Sequence, residues 1–226
     1  MIRMFNMDCM EAMASMPDKA YGLAIVDPPY GDGGGAVGWK AEQSLRGTVR
    51  KVARTGGSWS RKYQTGGFFD SNDIRHWDTA PDDEYFKELF RVSEYQIIWG
   101  GNYFGLPPNR NFIIWRKKTI SEGFSMAMAE YAWTNIQGNA KVFECAPQGK
   151  DRFHPTQKPV ALYKWLLKNY AKPGDKILDT HGGSMSIAIA CDIMGFDLDL
   201  YEIDEDYFRA GKERLERHKK QGVLEL

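Results

Sequence analysis

The sequence has few of the features of a secreted or membrane protein. Its three cysteines are widely spaced and form no CxxC pair, so neither a disulfide framework nor a zinc site is expected. No apolar run approaches the ~20 residues that a membrane span needs. The first residues lead directly into strand-like sequence, and no signal peptide is expected. These absences favour a reducing, cytoplasmic location.

The chain also lacks a net charge. Its 30 Lys and Arg residues are balanced by 30 Asp and Glu residues, so any affinity for nucleic acid has to come from local charge. What is abundant is apolar and aromatic sequence, 42% and 13% of the chain, which is typical of a folded globular protein. A length of 226 residues allows one sizeable core, and we expect a single domain, residues 1–226, with an insertion.

The order of the predicted elements indicates an α/β fold. A strand at 2–5, a helix ended by Pro17 and a strand at 21–26 form the beginning typical of a parallel sheet. The strands at 111–115 and 128–133 are joined without a clear helix, which predicts an antiparallel pair. Further strands are predicted at 95–99, 176–178 and 197–201, helices at 81–92, 160–170, 184–194 and 204–220, and a loop at 135–153.

The stretch Asp27-Pro28-Pro29-Tyr30 follows the apolar strand 21–26, at the end of the strand where open α/β sheets keep their ligand crevices. The two prolines fix φ and remove two amide donors, so the turn is stiff and its carbonyls are free to accept hydrogen bonds. A carboxylate, a carbonyl and a flat ring together suit the binding of a planar group that carries an NH2. The alternative is an ordinary strand-end acid in a tight turn.

Residues 31–75 form a glycine-rich insertion without apolar periodicity, too long for an ordinary connection. Trp39, Trp59 and Tyr63 are interleaved with cations, a mixture that suits phosphates and unstacked bases. We therefore predict contact with nucleic acid, the alternative being a solvated loop. Between residues 31 and 67 the cations are Lys40, Arg46, Arg50, Lys51, Arg54, Arg61 and Lys62, against the acids Asp32 and Glu42.

A second candidate binding site lies in the predicted strand–helix–strand unit at 176–202. Its strands end in Asp179 and Glu202, with Gly182-Gly183 in the first turn. In nucleotide-binding sheets such glycines let a ligand approach the backbone, while the later acid accepts from ribose hydroxyls. Because neither GxGxxG nor GK[ST] is present, a nucleoside cofactor without pyrophosphate fits, and S-adenosylmethionine is the candidate. The alternatives are an unspecific glycine turn and helix capping by the acids near Asp204.

Together these segments resemble the amino-methylating DNA methyltransferases, in the group whose catalytic tetrapeptide precedes the cofactor motif. The resemblance covers nearly the whole chain in the family's order. The matched segments are Asp27–Tyr30, residues 97–104 (Ile-Ile-Trp-Gly-Gly-Asn-Tyr-Phe), His154–Pro159, Lys176–Ser186 and Leu200–Phe208.

The resemblance implies a Rossmann-like methyltransferase fold that uses S-adenosylmethionine and acts on double-stranded DNA without a metal. Its sheet would have seven mostly parallel strands with one antiparallel strand. The order would be permuted, with the strand at 2–5 beside the strand at 197–201. Homodimers are common in the family, so a homodimer is an open expectation.

The resemblance also assigns roles to individual residues. Asp27, Pro28, Pro29 and Tyr30 would be catalytic, with Asp27 also near the cofactor. Asp8 and Cys9 would lie at the adenine of the cofactor and Glu202 at its ribose. The methionine part would be lined by Asp179 and Gly183, in a turn that also contains His181 and Ser184, and closed over by Thr156, Gln157 and Lys158.

Two departures from the family pattern are visible. The family has a final glycine in its Asp-Pro-Phe-x-Gly-Ser-Gly turn, where this chain has Met185, which would crowd a turn meant for close approach and weaken cofactor binding. The recognition loop at 135–153 is short, so the insertion is expected to contact DNA. Adenine N6 is the expected target, and N4-cytosine, RNA, a protein amide and a non-catalytic DNA-binding role stay open.

Overall fold

The computed structural model describes residues 1–31, 79–123, 127–147, 153, 154 and 156–224, with side chains up to 221. The chain divides into two compact units, residues 1–28 with 83–226, and residues 29–82. The predicted insertion at 31–75 falls in the second unit, and the seven cations between Lys40 and Lys62 lie outside the described residues. Among the described residues, no helix is both long and apolar enough to cross a membrane.

The first unit contains eight strands and five helices in the part of it that the structure describes. The strands are β1 (Ile2–Phe5), β2 (Tyr21–Val26), β3 (Ser93–Trp99), β4 (Phe112–Lys117), β5 (Ala129–Thr134), β6 (Lys141–Cys145), β7 (Lys176–Asp179) and β8 (Asp197–Tyr201). The helices are α1 (Cys9–Ala14), α2 (Asp83–Val92), α3 (Val160–Tyr170), α4 (Ser186–Met194) and α5 (Glu205–Leu224), with a short 3-10 helix at Gly101–Tyr103.

All eight strands form one sheet, in the order β1-β8-β7-β2-β3-β5-β4-β6. Only β5 runs antiparallel to its neighbours β3 and β4, and every other neighbouring pair is parallel. This topology confirms the Rossmann-like methyltransferase fold, the antiparallel pair β4–β5 and the permuted position of β1 beside β8. Phe5 of β1 lies opposite Tyr201 of β8, so these two strands end at the same edge.

The sheet has one strand more than the predicted seven, because Lys141–Cys145 is strand β6 and not part of a loop. β6 lies at the end of the strand order and pairs in parallel with β4. Its residues are exposed or only partly buried, so it lacks the apolar pattern by which a strand is recognised in a sequence. The predicted role of 135–153 in DNA recognition stays a prediction.

Helices cover both faces of the central strands. On one face Leu23 and Ile25 of β2 belong to the core formed with α3 and α4. On the other face Ala24 and Val26 belong to the core formed with α1 and α2. Because successive side chains of a strand point to opposite faces, a strand covered on both sides is apolar throughout. This explains the unbroken apolar run that precedes Asp27.

A buried polar cluster ties together the four strands β1, β8, β7 and β2. The Asp199 carboxylate accepts two bonds of 2.6 Å from Arg3, one of 2.7 Å from Tyr21, and an ion pair of 2.7 Å from Lys176. Burial alone would raise the pKa of Asp199, but these donors outweigh it and the pKa is lowered. The cluster therefore holds these strands in register beneath the edge that carries the predicted cofactor residues.

Met185 is accommodated in the core at the start of α4. Its backbone is left-handed, with φ 55° and ψ 29°, a conformation that costs a non-glycine residue roughly 1–2 kcal/mol. The side chain is fully buried and lies against Gly211 of α5, where an added Cβ would be 2.6 Å from Met185 Cγ and 2.7 Å from Sδ. The thioether thus fills the space left by a helical glycine.

We predict that this pair is energetically coupled. Gly211→Ala should destabilise the protein by about 1–3 kcal/mol, because the new methyl group overlaps with Met185. In a Met185→Gly background the same substitution should be stabilising by up to ~1 kcal/mol, since alanine is the better helix former. Urea unfolding of the four proteins measures the coupling, and an equal cost in both backgrounds would contradict it.

Candidate active site

The strand order brings three acidic residues to one edge of the sheet. Asp27 follows β2, Asp179 ends β7 and Glu202 follows β8, and these three parallel strands are neighbours. Burial raises the pKa of Asp179 to about 8; the N–H of His181, 3.0 Å from its carboxylate, opposes this, and the charges of Asp27 and Glu202 add to it. This raised pKa favours the protonated form of Asp179 at neutral pH.

The turn after Asp179 depends on its two glycines. A side chain at Gly182 would overlap with Leu200 of β8, so the turn lies directly against its neighbouring strand. Gly183 has a φ of 46°, and its N–H donates to Glu202 at 2.7 Å. Glu202 also accepts from the N–H of Asp204 at 2.9 Å. The predicted ribose acid is thus hydrogen-bonded to the glycine turn.

Asp204 and Glu202 form different contacts near the start of α5. The Asp204 carboxylate accepts from the N–H of Tyr207 at 2.9 Å, which confirms the predicted cap of α5. Glu202 instead joins the ends of β7 and β8. Burial raises the pKa of Glu202, although the N–H groups that it accepts from oppose the shift. A buried acid with a raised pKa at a strand end suits a hydroxyl-bearing ligand better than it suits a phosphate.

His181 is held by a buried hydroxyl pair that the sequence pattern did not reveal. The hydroxyl groups of Tyr85 and Thr180 lie 2.7 Å apart, and the Thr180 oxygen lies 2.9 Å from His181 Nδ1. The rings of Tyr85 and His181 meet edge to face at 5.4 Å. Burial lowers the pKa of His181 to about 4, so the imidazole is neutral at physiological pH and serves as a polar, uncharged wall of the turn.

The segment before α3 folds over the same turn. The His154 ring meets Tyr207 edge to face at 4.3 Å, and its Nε2 would be 3.4 Å from a Cβ at Gly183. His154 Nδ1 accepts from the N–H of Thr156 at 3.3 Å, and the side-chain oxygen of Gln157 accepts from the N–H of Phe153 at 3.3 Å. The predicted closing residues Thr156 and Gln157 therefore shape the segment, and His154 is the residue that reaches the turn.

Lys158 forms an ion pair with Asp27, the predicted catalytic acid. Its ammonium forms ion pairs with Asp27 and with Glu130, the latter at 3.2 Å, and it lies 5.1 Å from the centre of the Trp99 ring. Only 2% of the Lys158 side chain is exposed. Burial would lower the pKa of Lys158, but the two acids outweigh it and raise the pKa. The ammonium is therefore charged, and it neutralises part of the acidic edge.

The predicted adenine end of the site lies where β1 and β8 terminate. Asp8 caps α1 through the N–H of Met10 at 2.8 Å. Cys9 packs in the core, where burial raises the pKa of its thiol to about 12. Asn6, which the sequence pattern did not single out, donates to the carbonyl of Glu202 at 2.8 Å. Asn6 therefore holds Glu202, the predicted ribose acid, beside the end of β1. Contact of Asp8 and Cys9 with a cofactor stays a prediction.

The other predicted site residues divide into two groups. Ser184 is buried, with its hydroxyl 3.1 Å from that of Ser186 and its carbonyl accepting from Arg214 at 2.7 Å, so it supports the turn from within. Pro28 is buried in the first unit, whereas Pro29 and Tyr30 belong to the second unit.

The edge as a whole has the chemistry of a site for a cationic, hydroxyl-bearing ligand. Carboxylates end three neighbouring strands, and the glycine turn lets a ligand approach the backbone. Acidic groups repel phosphate but attract ammonium and sulfonium groups. Within the described residues, no group of three or more His, Cys, Asp or Glu side chains is arranged to hold a metal ion. S-adenosylmethionine, with an ammonium, a sulfonium and a ribose, fits this set of donors and acceptors.

Comparisons with known proteins agree with this site. A family model described as DNA methylase, of the N6/N4 type, matches residues 69–213. YubD of Escherichia coli (strain K12), named as a methylase, is 24% identical over 95% of this chain and 90% of its own length. The DNA adenine methyltransferase YhdJ of the same organism is 36% identical, over 38% of this chain and 30% of its own.

Solved structures share the fold at low sequence identity. The complex of M1.HpyAVI with SAM superposes with a TM-score of 0.59 at 16% identity, covering 95% of this chain and 99% of that one. The cytosine-N4-specific PvuII DNA methyltransferase gives 0.57 at 12% identity, covering 97% and 90%. Since the family model spans more than half of the chain, this protein belongs to the DNA methylases that modify exocyclic amines, the N6/N4 methyltransferase family.

Proposed function

We propose that this DNA methyltransferase transfers a methyl group from S-adenosylmethionine to the N6 amine of an adenine flipped out of double-stranded DNA. The observation that carries the proposal is the position of Asp27, at the carboxyl end of β2, on the same edge as Asp179 and Glu202. An acceptor for the target amine and acceptors for a cationic cofactor thus stand side by side.

The cofactor would be held by groups whose chemistry matches its parts. Asp179 would accept from the ammonium group of the methionine part, and Glu202 from the ribose hydroxyls. Gly183 would allow close approach, with neutral His181 beside it. When bound, S-adenosylmethionine supplies an electrophilic methyl group on sulfur. The protein supplies orientation, which accounts for much of the acceleration of a transfer between two bound groups.

Asp27 and Pro28 would prepare the target nitrogen. The lone pair of the adenine amine is conjugated with the ring, which makes the amine a poor nucleophile. If the Asp27 carboxylate and the Pro28 carbonyl accept its two N–H groups, the nitrogen is favoured in a pyramidal form with an available lone pair. A proton must leave the nitrogen once it has formed its new bond to carbon, and Asp27 is the base placed to accept it.

Tyr30 would hold the extruded base by stacking on it. Such stacking contributes ~1–3 kcal/mol per base. That gain offsets the few kcal/mol needed to unpair and unstack a nucleotide. No covalent intermediate with the base is required. In the part of the chain that the structure describes, Cys9, Cys145 and Cys191 are free thiols, and burial raises the pKa of each.

Similarity to an adenine methyltransferase favours adenine over cytosine. The partial match to an adenine methyltransferase supports N6, and it spans only 38% of this chain. The cytosine-N4-specific structural neighbour keeps N4 of cytosine as the second candidate, because cytosine presents a similar amine. RNA, a protein amide and a non-catalytic DNA-binding role are further alternatives that the experiments below distinguish.

Replacement of Asp27 tests the catalytic assignment. Asp27→Ala should lower methyl transfer to DNA at least ~100-fold, because the amine loses its charged acceptor, while cofactor and DNA still bind. Transfer of a labelled methyl group under single-turnover conditions measures the rate, and calorimetry measures binding. Asp197→Asn, at an exposed acid of β8, is the control and should keep full activity. Turnover by Asp27→Ala close to that of the wild type would refute the assignment.

Cofactor binding should release a proton from Asp179. The free protein holds that proton below a pH of about 8, and a cationic ligand beside the carboxylate favours its loss. Affinity for S-adenosylmethionine should therefore rise with pH and level off above about 8. At pH 7, calorimetry in two buffers of different ionisation enthalpy should detect release of ~1 proton.

Two variants control this measurement. Asp179→Asn should remove the buffer dependence and weaken binding, whereas Asp197→Asn should change neither quantity. Equal proton release by the wild type and Asp179→Asn would show that the proton comes from elsewhere, including from the cofactor itself.

The insertion at 31–75 is proposed to bind the DNA backbone through the seven cations between Lys40 and Lys62. Arg50→Ala combined with Lys51→Ala should lower DNA affinity and reduce the slope of log affinity against log salt by ~0.9 for each phosphate that is no longer neutralised. Lys164→Ala combined with Lys168→Ala removes the same charge from the exposed side of α3 and is the matched control. An unchanged slope in the insertion variant would contradict the proposal.

A further inference from the structure

We propose that Lys158 and Glu130 are positioning residues for catalysis, which together set the orientation of Asp27. Lys158 would act directly on Asp27, and Glu130 would act through Lys158. This inference rests on the proposed function, since it concerns the acid that binds the target amine. It also changes the role of Lys158 from a residue at the methionine end of the cofactor to a residue on the catalytic acid.

The antiparallel strand β5 is what brings Glu130 to this edge. The strands β2, β3, β5 and β4 are successive neighbours in the sheet. Because β5 is antiparallel to β3 and β4, it begins at the edge where the other three strands end. Glu130, the second residue of β5, therefore lies level with Trp115 near the end of β4. Asp27 stands at the other side of the row, after β2. Lys158 spans the distance between the two acids.

The position of the Lys158 ammonium is set on three sides. Asp27 and Glu130 form ion pairs with it, and the face of Trp99 lies beneath it at 5.1 Å. An aromatic face attracts a cation, most strongly where water is excluded. The Trp99 side chain is fully buried, and the Lys158 side chain is only 2% exposed. The ammonium therefore presents a fixed donor to the Asp27 carboxylate.

Glu130 is in turn shared between two lysines. Lys117, at the end of β4, forms an ion pair of 2.6 Å with it and lies 5.2 Å from the centre of the Trp115 ring. Burial would raise the pKa of Glu130, but Lys158 and Lys117 outweigh it and the pKa is lowered. The row thus alternates in sign from Asp27 to Lys117, with two acids and two cations. We call Asp27, Lys158, Glu130 and Lys117 the edge network.

Sharing limits how strongly Lys158 competes for Asp27. If Lys158 were paired with Asp27 alone, its full charge would compete with the target amine for the carboxylate. Because Glu130 takes part of that charge, Asp27 remains a good acceptor for the amine.

The edge network predicts a loss of rate without a loss of cofactor binding. Lys158→Met removes the fixed donor that orients Asp27, so the saturated rate of methyl transfer should fall ~10–100-fold, as expected when a reacting group loses its positioning. Glu130→Gln should lower the same rate by a smaller factor, because Lys158 then has one anionic partner instead of two. Because both residues act on Asp27 through the same ammonium, the double variant should lose less than the product of the two single losses.

Single-turnover methyl transfer to DNA at saturating S-adenosylmethionine and DNA measures the rate, and calorimetry measures the affinity for S-adenosylmethionine. Lys118→Met, beside Lys117 but 61% exposed, is the control and should leave both quantities unchanged. Calorimetric binding of S-adenosylmethionine also shows that each variant is folded.

Each outcome decides between the assignments. A lower saturated rate with unchanged cofactor affinity, together with non-additive losses in the double variant, supports the inference. Additive losses overturn it and leave the proposed function intact. A weaker cofactor affinity with an unchanged saturated rate in Lys158→Met also overturns it, in favour of cofactor binding. If Lys158→Met does not fold, the rate of Glu130→Gln at unchanged cofactor affinity decides alone: a loss supports the inference and the wild-type rate overturns it. A wild-type protein that methylates nothing overturns both proposals.

Discussion

Charge repulsion at one edge of the sheet is the constraint around which the site is organised. Neighbouring parallel strands bring Asp27, Asp179 and Glu202 to one edge, where the charges of Asp27 and Glu202 raise the pKa of Asp179. Neighbouring carboxylates in a partly buried site cannot all stay charged unless a cation or a proton offsets their repulsion. Asp179 meets the constraint by holding a proton, and Asp27 meets it by pairing with Lys158. Asp27 is thus paired with a cation, whereas Asp179 is not. We propose that this difference separates the side of the edge that binds the cofactor from the side that binds the amine.

The turn after β7 shows how a family pattern can change without loss of its geometry. A glycine that the pattern uses at the start of α4 is Met185, in a left-handed conformation. Its side chain packs into the core, where it lies against Gly211 of α5. Gly182 and Gly183 keep the turn close to its neighbours, the first packed against Leu200 and the second hydrogen-bonded to Glu202. Met185 and the glycine that makes room for it are thus in direct contact.

Much of the fold could be predicted from the sequence, because buried strands and amphipathic helices have clear periodicities. The position of the three strand-end acids at one edge could be predicted from the same pattern, since the ends of parallel strands meet at one edge. What could not be predicted depends on interactions between distant segments. The pairing of Lys158 with Glu130, the packing of His154 on Gly183, and strand β6 have no local pattern. One signal was available: Glu130 is an acid inside an otherwise apolar strand, and such a residue needs a partner.

The central claim is that Asp27 binds the exocyclic amine of adenine for methylation. The most direct measurement is mass spectrometry of the nucleosides released from mixed-sequence double-stranded DNA after incubation with the protein and S-adenosylmethionine. The account predicts that N6-methyladenine accumulates with the wild-type protein and is absent with Asp27→Ala. Accumulation of N4-methylcytosine instead, or of no methylated nucleoside under conditions where the protein binds both cofactor and DNA, would contradict it.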